Sequence, residues 1–118
     1  MKKATKKKIT KKAAGHDPMI GRYCIVGNKS YGLYCGIVEA ITPDAEGLST
    51  VLVRECRHIA QWYGKTGGIT SLAAHGICGA RAAESRVGAP CLARLSGVAN
   101  ILAASDEAAA TLRASVQS

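Results

Sequence analysis

Five cysteines, three histidines and a run of lysines are the residues of this 118-residue chain whose types could do chemistry. Cys24, Cys35, Cys56, Cys78 and Cys91 contain no C-x-x-C pair, and His16, His58 and His75 lack finger spacing, so no zinc site is expected. The cysteines read as small buried hydrophobes in a reducing compartment. An odd number also permits an inter-chain disulfide, for which Cys78 and Cys91 are the candidates because they flank a segment expected to be exposed. His16-Asp17, His58 or His75 with a cysteine would supply a nucleophile and a base. However, no G-x-S-x-G, H-E-x-x-H or H-x-E…P-C-x-x-C pattern accompanies them. They read as ordinary polar residues, and no turnover, metal or cofactor is expected. Gly64-Lys-Thr-Gly-Gly68 has the residues of a phosphate loop in the wrong order and reads as a turn. Arg57, Trp62 and Tyr63 are a candidate small-molecule pocket, against the reading of Trp62 as the one large anchor of the core.

The lysines carry a stronger signal. Lys2, Lys3, Lys6, Lys7, Lys8, Lys11 and Lys12 occur within twelve residues and no acid interrupts them. Taking these seven from the 16 basic residues leaves nine against eight acids, so the net charge of +8 divides into +7 and +1. Such a block repels itself, buries no apolar surface and is disordered alone. Held in place, it implies something acidic against it. The run has no arginine for bidentate base reading and no aromatic for stacking, so binding through it would be non-specific and salt-dependent. A plain solubility tail and a nuclear-localisation signal are the alternatives. An apolar h-region is missing, and no apolar run approaches about 18 residues, so neither a secretory signal nor a membrane span is expected.

The elements that must position these residues begin after the lysines. Residues 1–18 are expected as an extended basic arm and 19–118 as a single small domain. Phe is absent and aromatics make up 4% of the chain, so the core is expected to be thin, built from Ala, Val, Ile and Leu. A hairpin is predicted over 19–41, with strands 22–26 and 33–41, a turn in Gly27–Gly32, and, for a turn centred between Lys29 and Ser30, a register setting Cys24 opposite Cys35. A third strand is predicted over 49–62, with a bulge where Cys56, Ile59 and Trp62 fail to alternate. A short helix over 69–75 is expected, capped by Thr70 and stopped at Gly76, followed by surface loop through 88. Residues 89–104 read as one or two strands broken at Ser96-Gly97, before a last helix capped by Ser105. The fold class is mainly β: a small twisted antiparallel sheet or barrel with two short helices, with α+β as the alternative.

Ile20-Gly21-Arg22-Tyr23 with Val26, then Arg57, Ile59 and Trp62, then Leu72, Ala73 and Gly76, and finally Ile101 and Ser105-Asp-Glu-Ala108 form an ordered set. This layout resembles a family of small phage-encoded proteins with an I-G-x-Y opening, an R-x-I-x-x-W strand and an L-A-x-x-G helix. It covers residues 19–112, departs at Ala60, lacks the family's long acidic-apolar final strand and excludes the arm. The resemblance implies a phage origin and assigns no residue a role. The expectation is therefore a non-enzymatic virion protein, made in the host cytoplasm: a minor capsid, cement or linking protein. Its partners would be other virion proteins, copies of itself, or DNA met non-specifically through the arm. The alternatives are an intracellular phage protein that binds nucleic acid or sequesters a host factor or nucleotide, and a ribosomal-type RNA-binding protein.

Overall fold

A computed structural model describes residues 17–29, 32–44, 46–64 and 68–115. The elements run β1 (Tyr23–Asn28), β2 (Gly32–Pro43), β3 (Ser49–Gln61), α1 (Ile69–His75), a 3-10 turn (Ala82–Glu84), β4 (Arg86–Val87), β5 (Cys91–Ala103) and α2 (Asp106–Ala114). All pairings are antiparallel: β1 with β2, β2 with β3, β3 with β5, and β5 back to β1. Four strands thus close into a ring, and β4 adds to the far end of β3. The protein is mainly β, as composition and turn signals predict.

Closure gives β1 two buried faces. Cys24 and Val26 point into the ring, where Val38, Val51, Val53, Cys56 and Val98 meet them from the other three strands. Tyr23 and Ile25 point outward into a second core with Cys35, Ile59 and Val87, covered by Leu72 of α1 and Leu112 of α2. Small β-branched side chains suit the narrow ring, while the longer ones serve the sheet–helix layer.

The irregularity predicted in the third strand is a bulge at Glu55, which has φ 55. Val51 and Val53 face the ring, and one extra residue then shifts the phase so that Cys56 faces inward and Arg57 faces the helices. Gly36 lies opposite. A Cβ there would stand 2.5 Å from Val53 Cγ1 and 2.8 Å from the Arg54 carbonyl oxygen, so the close approach requires glycine.

Four expectations are corrected. Ile25, not Cys24, opposes Cys35, while Cys24 opposes Gly36, so the two cysteines lie on opposite faces and in different cores. Gly68 rather than Thr70 caps α1, with no side-chain bond. The segment before Gly88 is not all loop, because it holds the 3-10 turn and β4. Ser96-Gly97 does not break β5. The ladder with β3 shifts register there, and Asn28 Nδ2 donates to the Ser96 carbonyl, so the strand bends without ending. Gly76 stops α1 and Ser105 caps α2, as the sequence predicts.

Candidate functional site

The seven lysines of the arm, the turn residues Lys65, Thr66 and Gly67, and His16 lie outside the described residues. The other candidates are placed.

Arg57 is 5% exposed. Its Nε donates to the Gly88 carbonyl at 2.6 Å, Nη1 to those of Leu112 (2.7 Å) and Arg113 (3.2 Å), and Nη2 to those of Val87 (3.3 Å) and Ser115 (2.9 Å). A guanidinium has five N–H donors, and all five are engaged. Three of the acceptors are carbonyls at the C-terminal end of α2, where the helix dipole is negative; of these the Leu112 carbonyl also accepts from the Ser115 N–H at 3.4 Å. Arg57 is therefore a tie that fastens α2 and the β4 segment to β3, with no donor left for a ligand.

Trp62 is half-buried against the helix-side core. Tyr63 is bound to the 3-10 segment. The Arg81 guanidinium stacks 4.2 Å from its ring centroid and donates to its hydroxyl at 3.1 Å, while Ser85 Oγ accepts from its backbone N–H. Arg81 is held in turn by Glu84 at 2.8 Å, which keeps its guanidinium charged. This group anchors the 3-10 segment.

His58 is exposed, with its ring 5.1 Å from that of Tyr34, its cross-strand partner. His75 ends α1. All five thiols are free; Cys24, Cys35 and Cys56 are buried, Cys78 is half-buried and Cys91 exposed. Burial pushes the Cys24 thiol up to about 11 and the Cys56 thiol up to about 12. It raises Cys35 as well, against the hydrogen bond from Tyr23 and the nearby charge of Arg57. Burial likewise raises the Tyr23 hydroxyl, which donates to Cys35 Sγ at 3.4 Å. These groups are held in their neutral forms, the opposite of an activated nucleophile.

A cleft of about 340 Å³ lies between the 3-10 turn and α2, lined by Ile77, Ala82, Ala83, Ser85, Thr111 and Ala114 among others, none with a titratable side chain. Among the described residues no group of three or more His, Cys, Asp or Glu could hold a metal ion, and no helix is long and apolar enough to cross a membrane.

Sequence reasoning missed the Arg57 tie and one cysteine relation. Cys56 on β3 directly opposes Cys91 on β5. The bulge phase that sets this register depends on which residue enters the left-handed region, and residue spacing does not reveal it. Three residues of the ordered set hold structural posts: Arg57 ties, Gly76 stops α1, and Ser105 caps α2 through Ala108 N–H at 3.0 Å. No family model, curated protein or solved structure matches the chain.

Proposed function

We propose that this chain is a non-enzymatic structural protein of a phage particle, a minor capsid, cement or linking protein. In this reading a closed β body docks on protein neighbours and the lysine run engages an acidic surface, either protein or packaged DNA. The observation that carries it is the division of charge, +7 in the first twelve residues against +1 in the rest. The described body supports the non-enzymatic reading: its central arginine is spent on backbone carbonyls and its buried thiols are held neutral. The phage setting rests on the resemblance of residues 19–112.

Deleting residues 2–12 tests the binding mode. The full chain is expected to bind random-sequence duplex DNA with an affinity that falls steeply with salt, a log–log slope of about −5 for roughly six phosphates neutralised. The deletion variant is expected to lose at least ten-fold in affinity at low salt with an unchanged melting temperature. Salt-insensitive binding, or binding unaffected by the deletion, overturns this mode. Mass spectrometry of purified particles tests the setting: presence of the chain supports a virion role, whereas absence from particles with abundance in infected cytoplasm favours an intracellular nucleic-acid binder.

A further inference from the structure

We propose that Cys56 and Cys91 form a thiol pair that takes a low-molecular-weight disulfide and closes to a cross-strand disulfide joining β3 to β5. The two residues are direct register partners. Opposed residues of an antiparallel pair project from the same face, with Cα atoms about 4.5 to 5.5 Å apart, inside the roughly 4.4–6.8 Å range that disulfides span. The bulge at Glu55 creates the relation, because its extra residue turns Cys56 inward at the point where β5 begins.

Accessibility divides the roles. Cys91 is exposed and meets the reagent first, whereas Cys56 is 2% exposed and shielded from it. The Cys91 thiolate attacks one sulfur of the reagent RSSR, a Cys91–SR bond forms, the S–S bond breaks, and RS⁻ leaves to be protonated. Cys56, whose thiol burial holds neutral, reacts in a slower second step: its proton passes to the departing RS⁻ as its sulfur attacks the Cys91 sulfur, so the second thiol leaves as RSH. In sum, two protein thiols and one RSSR become one protein disulfide and two RSH. Cys35 lies in the other core, and Cys24, which shares the ring with Cys56, is fully buried and out of the reagent's reach. Cys24 and Cys35 sit on β1 and β2, opposite Gly36 and Ile25 respectively, and Cys78 lies in the segment after α1. The pairing therefore replaces the inter-chain bridge expected from the sequence for Cys91.

The bond would bridge one seam of the ring and enclose residues 57–90, the stretch that contains Arg57, α1 and β4. A protein that folds reduced in a cell and later meets an oxidising medium would acquire this clasp after folding.

The test incubates the reduced full chain with oxidised glutathione, quenches with acid, alkylates the free thiols and maps peptides by mass spectrometry. A Cys56–Cys91 link in a monomer is expected, with a melting temperature higher by about 5 °C or more. Cys91→Ser is expected to abolish both the link and the thermal shift. Cys56→Ala is expected to halt at a glutathione mixed disulfide on Cys91; should its buried site fail to tolerate alanine, Cys91→Ser at the exposed end still decides. A wild-type chain that ends as a stable Cys91 mixed disulfide with Cys56 alkylated, links Cys91 to a second chain, or joins any other pair overturns the proposal.

Discussion

At the residue scale, Arg57 shows what a buried cation can do without a carboxylate. Its charge sits against the negative end of α2, and its fork matches five carbonyls. Lysine offers the same charge with three donors and no fork. Arg57→Lys is therefore expected to cost about 2–4 kcal/mol in urea unfolding by leaving buried carbonyls unpaired. The buried thiols set a second prediction. An unfolded thiol titrates near 9.0, whereas Cys24 and Cys56 in the fold are held up to about 11 and about 12. Above the unfolded value the unfolded chain sheds protons that the folded chain keeps. Stability is thus complete below about pH 9 and declines as pH rises toward the folded values. Urea midpoints are expected to fall between about pH 8 and about pH 10.5, and Cys24→Ala to flatten the decline. The sequence marked Arg57 and the cysteines as noteworthy. It offered the arginine as a pocket candidate and left the tie unseen, because five backbone acceptors, brought in from the β4 segment and α2, leave no trace in side-chain spacing.

At the element scale, the two helices lean on each other through glycine and serine. Gly76 has φ 73, and a Cβ there would stand 2.8 Å from Ala108 Cα and run into Thr111 Oγ1. Gly76→Ala is expected to cost roughly 3 kcal/mol, from left-handed strain plus overpacking against α2. Ser105 does two things: its Oγ caps α2 by accepting from Ala108 N–H and donates to the Ala74 carbonyl at 2.7 Å. Ser105→Ala is expected to cost about 1–2 kcal/mol, and thermal melts of both variants check the ranking. Both residues were legible in advance, because a glycine stop and a serine cap are local devices. β4 was not. Two residues offer no periodicity, and Arg86–Val87 is a strand only because the end of β3 extends past β5 and leaves an edge to pair.

At the scale of the whole molecule, the mainly β character, the element order and both helices follow from alternation and turn residues. The closure of the ring does not, because it depends on β5 bending at Ser96-Gly97 to pair with β3 over its first half and with β1 over its second. That closure also governs how the chain must be made. β1, the first strand among the described residues, meets one of its partners only in β5, the last of them, so the ring stays open on a ribosome until residue 103 has emerged. Until then β1 and β3 each present an unsatisfied edge with apolar side chains beside it, the arrangement that recruits other chains. A fragment ending at residue 90 is expected to aggregate on expression while the full chain remains monomeric by light scattering. A soluble, cooperatively melting fragment would show that the β1–β2–β3 meander folds without its closing strand. Synthesis in high copy would then favour slow release or a chaperone at one step only, the arrival of the last strand.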